Sequence, residues 1–349
     1  MLNNIKITNK FIGKQHSVFI IAEAGVNHNG SLATAKKLVE VAKKAGADAV
    51  KFQTFKSEDL VTQSADMTQY QQKNTGKKES QLLMLKKLEL KNKDFIALKK
   101  YCDQKNIIFL STAHTKDAIN FLNSLMPAFK IASGDLTNIP FLEAVAKKKK
   151  PLIVSTGMAN LEEIKEAVTV IKKAGNNKVI LLHCTTNYPC PLEDVNLRAM
   201  LTLKKEFNMP VGYSDHTEGF WVSVMAVAMG AEVLEKHFTL DKNLPGPDHK
   251  ASLEPKELKE MVDRVREMEK ILGSGIKKPT VSEKKIAIIA RKSIIAKKYI
   301  LKGQKITRDM LVIKRPGNGI EPKYLNNIIG KKAKKNIKKE SLIRQDQLS

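Results

Sequence analysis

Eight short apolar runs in this chain each end in residues that can bind or move charge. The run ends carry Glu23; Lys51 with Gln53; Thr112; Lys130 with Ser133; Ser155; Thr185; Ser214 with His216; and Glu235 with His237. Two histidines at successive run ends suit a divalent first-row metal with open coordination positions, because neutral imidazoles are good ligands for such ions. A closed structural zinc site is disfavoured, since no thiolates stand at the required spacing. The ordinary alternative is a pair of histidines hydrogen-bonded in a core. Lys51 and Lys130, with the hydroxyls of Thr112, Ser133 and Ser155, fit a substrate bearing several negative charges. Ammonium groups neutralise phosphate or carboxylate, and hydroxyls complete the hydrogen bonds. The alternative is that one lysine forms a Schiff base with a carbonyl substrate. Glu23 is a candidate acid–base group, or else the salt-bridge partner of a lysine.

The stretch "VLEKHFTL" sharpens the problem. It reads as a buried strand, yet Glu235, Lys236 and His237 stand in its middle, and burying an unpaired charge is costly. Strand alternation puts Glu235 and His237 on one face and Lys236 on the other. For Lys236 the pattern supplies no role.

What could hold these residues together is the rhythm of the chain. The runs "SVFIIAE", "AVKFQTF", "IIFLSTA", "AFKIASG", "PLIVSTG", "KVILLHCT", "PVGYSDH" and "EVLEKHFT" alternate with amphipathic helical patterns such as "SLATAKKLVEVAKKAG" and "NLEEIKEAVTVIKKAG", which stop at glycine. Strand–helix alternation implies a parallel sheet. Eight units of this length predict an α/β fold, a closed (β/α)8 barrel, whose chemistry belongs at the carboxyl ends of the strands. An open doubly wound sheet is the competing architecture. It calls for a glycine-rich phosphate fingerprint after the first strand, and "EAGVNHNG" is not one. On this reading His216 and His237, on adjacent strands, meet at the barrel mouth. The segment from Lys56 to Leu90 follows the second strand. It is long for a plain loop and is expected to form a lid.

We divide the chain into a barrel domain at 1–275, a linker at 276–288 and a small β-rich domain at 289–349, whose short strands are broken by "KGQ" and "RPGNG". The net charge of +25 is uneven, with 21 Lys and Arg against 5 Asp and Glu from residue 276 onward. A single Trp and the lack of an aromatic-interleaved basic motif argue against nucleic acid as the partner. No apolar run approaches the ~20 residues of a membrane span, and no secretory leader is evident at the N-terminus. Three cysteines, Cys102, Cys184 and Cys190, form no CxxC pair and read as reduced thiols in a cytoplasm.

Nine ordered motifs cover nearly the whole chain: "FIIAEAGVNHNGSL", "VKFQTF", "FKIASGDLTN", "STGM", "LLHCTTNYP", "GYSDHT", "LEKHFTLD", "GPDHKASLEP" and "KRPGNG". Together they resemble the sialic acid synthase family, the phosphoenolpyruvate-dependent nonulosonic acid synthases. The resemblance implies a (β/α)8 barrel followed by an antifreeze-like (SAF) domain, in a domain-swapped homodimer. It implies a carbon–carbon bond-forming transferase using phosphoenolpyruvate and an N-acylated amino sugar. Mn2+ or Mg2+ is expected between His216 and His237. Phosphoenolpyruvate contacts are expected at Lys51, Thr112, Lys130, Ser133, Ser155, Thr186 and Ser214, and sugar contacts at Gln53, Asp135, Tyr188 and Asp248. Bacterial members often carry Glu where Asp135 stands. Arg315 is expected to reach the sugar from the partner chain, and Glu23 to position or deprotonate a water. The acceptor expected is N-acetylmannosamine, giving N-acetylneuraminate for a bacterial surface glycan. The alternatives are diacetamido-trideoxyhexoses, giving legionaminate or pseudaminate. A glycan- or ice-binding protein with an inactive barrel is the reading from another class, and the intact set of titratable residues opposes it.

Overall fold

The structure, a computed structural model, describes residues 4–76 and 79–349. Lys77 and Lys78, in the expected lid, and the first three residues of the N-terminal stretch lie outside the described residues. The chain divides into two compact units, 1–274 and 275–349.

The first unit opens with an antiparallel hairpin, β1 (Ile5–Ile7) and β2 (Lys10–Ile12). Eight strands then follow: β3 (Phe19–Gly25), β4 (Ala49–Thr54), β5 (Ile108–Ala113), β6 (Phe129–Ile131), β7 (Leu152–Ser155), β8 (Val179–His183), β9 (Val211–Asp215) and β10 (Val233–His237). They close into a barrel in which β10 pairs in parallel with both β9 and β3. The eight apolar runs of the sequence are these strands.

Alternation along the strands separates two cores. Phe19, Ile21, Leu110, Ile153, Leu182 and Val233 fill the barrel interior, and Ile5, Ile7 and Ile12 of the hairpin pack onto them. The hairpin therefore closes the amino-terminal end of the barrel. The opposite faces of the strands, including Ile20, Val50, Phe109 and Val154, pack against the surrounding helices. The helix Leu32–Ala45 shows why the segments between strands are helical. Its backbone starts at an Ser31 cap that accepts the Thr34 N–H, it buries Ala35, Leu38, Val39 and Ala42 along one stripe, and it stops at Gly46 with φ of 91°.

The insertion after β4 is ordered locally. It holds short helices Ser57–Leu60, Gln69–Thr75 and Gln81–Lys86, the first and last of which pack at a small apolar cluster of Val26, Phe55, Met67, Met84 and Leu88. The Asn74 side chain donates to Pro247 O at 2.6 Å, tying the insertion to the loop after β10. No helix among the described residues is long and apolar enough to cross a membrane.

The second unit begins with a helix, Val281–Ala290, in the stretch expected as linker. Next comes a short antiparallel ladder of β11 (Ser293–Ala296) and β12 (Leu311–Lys314). Isolated bridges such as Ile300 with Ile337 and Ala333 with Leu348 extend it. Ile294, Ile300, Ile306, Ile337 and Ile343 form its core.

Candidate active site

The polar strand ends converge at the carboxyl-terminal mouth of the barrel, around a cavity of about 200 Å³. It is lined by Glu23, Lys51, Gln53, Thr112, Lys130, Ser133, Ser155, Thr186, Tyr188, Ser214, His216 and His237, with His114 and Glu235 beside them. Lys51 and Lys130 are each 3% exposed. Such burial is tolerated because every ammonium has partners. Lys51 Nζ lies 2.8 Å from Glu23 Oε2 and donates to Thr112 Oγ1 at 2.9 Å. Lys130 Nζ donates to Ser155 Oγ at 2.6 Å. Glu235 stands between the two lysines, 3.8 Å from Lys51 and 3.5 Å from Lys130, and accepts from Ser214 Oγ at 3.1 Å.

The two carboxylates differ in their surroundings. Burial raises Glu23 to about 7, and the adjacent Lys51 only partly offsets it. Burial also penalises Glu235, but Lys130 and Lys51 together outweigh it and hold the carboxyl below its ordinary value. Lys51 is likewise penalised by burial, yet Glu23 and Glu235 raise it above the usual lysine range. Burial lowers Lys130, with Glu235 opposing.

His216 and His237 face each other with ring centroids 5.7 Å apart, and the Tyr188 ring lies 4.0 Å from the first and 5.5 Å from the second. Burial lowers both imidazoles, His216 to about 4, so both are neutral near pH 7. His216 Nδ1 sits 2.6 Å from Thr185 O. A carbonyl oxygen only accepts, so Nδ1 carries the hydrogen and Nε2 keeps its lone pair. That is how metal-ligating histidines are commonly oriented. His237 Nδ1 is buried with no hydrogen-bond partner among the described residues. Two neutral imidazoles, one held in a ligating tautomer and one with an orphaned nitrogen, fit a divalent ion. No group of three or more His, Cys, Asp or Glu suited to a metal occurs among the described residues, so such an ion would keep positions for water and substrate oxygens.

Local backbone features shape the mouth. Gly25 ends β3 with φ of 52°, beside a register shift between Glu23 and Gly25, which sets the Glu23 carboxylate beside Gln53 at 3.3 Å. At Gly157 a Cβ would fall 2.3 Å from Thr186 Oγ1 and 2.8 Å from Ser133 Oγ. Only glycine lets its N–H reach Ser133 Oγ, at 3.0 Å.

Two expected residues stand off the cavity wall, and a third belongs to the second unit. Asp135 faces His114, with 3.5 Å between Oδ2 and Nδ1. Asp248 is buried in the loop after β10, and burial raises it to about 6. Arg315 is an exposed residue of the second unit, where its Nε donates to Ala290 O at 3.0 Å. Sequence reasoning passed over His114 and Tyr70, and gave Glu235 no role. Glu235 carried a usable signal, as the strand mate of His237 on the same face. His114 follows β5 by one residue. Tyr70, whose ring lies 5.2 Å from Tyr188, sits in the insertion, where no periodicity points at the mouth.

A closed parallel barrel with paired lysines, carboxylates and imidazoles at its mouth is an α/β enzyme architecture. The chain belongs to the NeuB family, whose model matches residues 38–277, and a SAF domain matches residues 291–349. It is 51% identical to N,N'-diacetyllegionaminic acid synthase of Campylobacter jejuni, over 93% of this chain and 98% of that protein. It is 48% identical to the protein of the same name from Legionella pneumophila, over 93% of each. The crystal structure of N-acetylneuraminic acid (sialic acid) synthetase from Leptospira borgpetersenii superposes with a TM-score of 0.73 at 39% identity, covering 82% of this chain and 95% of that one.

Proposed function

We propose that this protein condenses phosphoenolpyruvate with an N-acylated amino sugar to give a nine-carbon nonulosonic acid and phosphate. The observation that carries the reading is the Lys51–Glu235–Lys130 array at the cavity, backed by Thr112, Ser155 and Ser214. Two desolvated ammonium groups with hydroxyls between them suit one small ligand bearing both carboxylate and phosphate. The electron pair of the C2–C3 double bond of phosphoenolpyruvate forms the new bond from C3 to C1 of the open-chain sugar, and the aldehyde oxygen takes up a proton to become a hydroxyl, balanced by the one released when water adds. Mn2+ or Mg2+ held by His216 and His237 would supply Lewis-acid polarisation of that aldehyde oxygen. Positive charge then develops at C2, where water adds. Glu23 takes the water's proton. The C2–O bond to phosphate then breaks as the new C2 hydroxyl passes its proton to the leaving phosphate, leaving the 2-keto acid. Lys51 and Lys130 hold the anionic groups throughout, and Gln53, Tyr188, Asp135 and Asp248 orient the sugar.

For the acceptor we infer a 2,4-diacetamido-2,4,6-trideoxyhexose, supported by the names of the relatives at 51% and 48% identity. N-acetylmannosamine, the acceptor expected from sequence, is the second reading and is supported by the Leptospira enzyme. We further infer a domain-swapped homodimer in which Arg315 of one chain completes the partner's site. We place the reaction in the cytoplasm, in keeping with three free, buried cysteines.

The test is release of inorganic phosphate from phosphoenolpyruvate by the purified protein, with each sugar in turn. The diacetamido sugar is expected to give the higher kcat/KM. A higher value with N-acetylmannosamine would overturn the acceptor assignment alone. No sugar-dependent phosphate release would overturn the enzyme reading and favour a binding protein. A chelator should abolish turnover and Mn2+ or Mg2+ restore it. Full activity in protein shown metal-free by elemental analysis would sink the two-histidine site.

A further inference from the structure

Behind the two histidines, on the outer face of the sheet, lies a second charged array that the proposed chemistry does not use. Lys236 and Asp215 are both 0% exposed, with 3.1 Å between Nζ and Oδ2. Lys236 Nζ also donates to Thr217 O at 2.6 Å. One ammonium therefore grips the residue before His216 and the residue after it. The same lysine is the backbone neighbour of His237, and it is the register partner of Asp215 in the β9–β10 ladder. Asp215 closes the circuit. Its Oδ1 accepts from the Thr217 N–H at 2.9 Å and from Thr217 Oγ1 at 2.7 Å. Its Oδ2 accepts from Ser223 Oγ, on the helix Trp221–Ala228, at 2.5 Å.

Stability alone does not account for this array. A buried ion pair is dehydrated at a cost that its attraction often only repays, and a well-packed apolar pair holds a fold about as firmly. What the charges add is geometry. The lysine's links to Asp215 and Thr217 fix the path of the backbone around His216 relative to the strand that bears His237, and the bonds from Thr217 and Ser223 hold the Asp215 carboxylate in place. On the inner side the His216 ring is fixed separately by Thr185 O.

We propose that Lys236 and Asp215 are positioning residues that set the spacing and facing of the His216 and His237 imidazoles for a shared divalent ion, an inference that rests on the metal reading above. It also answers why "VLEKHFTL" carries a charge on each face. Glu235 serves the cavity inside the barrel, and Lys236 sets the histidines from outside.

The probe is Mn2+ alone, titrated into the substrate-free full chain and followed by electron paramagnetic resonance. The parent is compared with the double variant K236M/D215N, which removes both charges together and keeps Asn as an acceptor for Thr217. Thermal unfolding is recorded for each protein. The control is V265A, which trims a side chain 0% exposed in the helix Pro255–Leu272 that takes no part in the bonds of the array. The double variant, folded at the assay temperature, is expected to bind Mn2+ about 10- to 100-fold more weakly, as for other groups that orient metal ligands. V265A is expected to lose thermal stability with unchanged Mn2+ affinity. Mn2+ affinity in the folded double variant within about twofold of the parent overturns the inference. So does equal weakening in V265A, which would make the effect one of general loosening. If the double variant does not fold, S223A carries the test, since it removes one anchor of Asp215 and leaves the ion pair. A weakening beyond about twofold supports the inference and parental affinity overturns it. A parent that binds no Mn2+ overturns the metal reading itself, and is thereby told apart from a parent that binds and variants that match it.

Discussion

Glu23 and Glu235 flank the same lysine, yet their environments push them in opposite directions, Glu23 up to about 7 and Glu235 below the ordinary value. Paired titratable groups driven apart in this way divide the labour of a site. Glu23 can exchange a proton near neutrality, while Glu235 stays an anion that spaces the lysines. Glu23→Gln keeps the shape and removes the base. Turnover is expected to fall about 10²- to 10⁴-fold with Mn2+ still bound, and a kcat close to the parent's would leave Glu23 a purely structural role. Asp248 gives a pH test. Burial raises it to about 6, so it is a carboxylate above that pH and a neutral acid below it. In the proposed role of accepting hydrogen bonds from the sugar, it is needed charged. The KM for the sugar should therefore rise as pH falls below 6, while the KM for phosphoenolpyruvate does not follow. Asp248→Asn should flatten the sugar dependence, and an unchanged profile in that variant would remove Asp248 from sugar binding. The lysines, hydroxyls and histidines were legible because alternation along a strand fixes which side chains share a face. Glu235 was visible as a neighbour but not as a bridge, because a carboxylate between two lysines is a contact across strands. Its partners are brought together only when the barrel closes.

At the scale of elements, the strands were readable because each is a β-branched run bounded by turn residues. The hairpin β1–β2 was not, since three-residue strands carry too little pattern to separate from a loop. Its importance comes from where it packs. Ile7 is 0% exposed, in the cluster that fills the barrel interior. Ile7→Ala should cost about 2–4 kcal/mol of stability, read by denaturant unfolding, with kcat unchanged at a temperature where both proteins are folded. A loss of kcat without a loss of stability would mean that the hairpin acts on the mouth and not on the fold. The insertion was legible as a long segment but not as three helices, because its apolar residues satisfy no sustained period. Their partner Val26 lies on the loop after β3.

For the whole molecule, the swapped dimer is the proposal most open to a decisive count. His237→Ala disables the barrel half of a site and Arg315→Ala the half contributed by the second unit, so each alone should be nearly inactive. Unfolding and refolding them together in equal amounts makes about half the dimers mixed, and about a quarter of all sites should then carry neither lesion. Activity remaining at the level of the separate variants, with mixed dimers confirmed by mass, would mean that Arg315 serves its own chain.

The hairpin that closes the barrel floor has a kinetic consequence. With Ile5, Ile7 and Ile12 packed onto the interior core, the chamber is a blind well with one opening. Gln53 lies two residues nearer the mouth than Lys51 on β4, a rise of roughly 7 Å along the strand. On the assignments above, phosphoenolpyruvate occupies the bottom and the sugar the neck. A sugar already in the neck would bar the donor, so binding should follow a compulsory order, donor first. Initial-rate patterns with a dead-end sugar analogue should then be uncompetitive against phosphoenolpyruvate. Noncompetitive inhibition would mean that the two ligands enter independently, and competitive inhibition that the analogue takes the donor's own place.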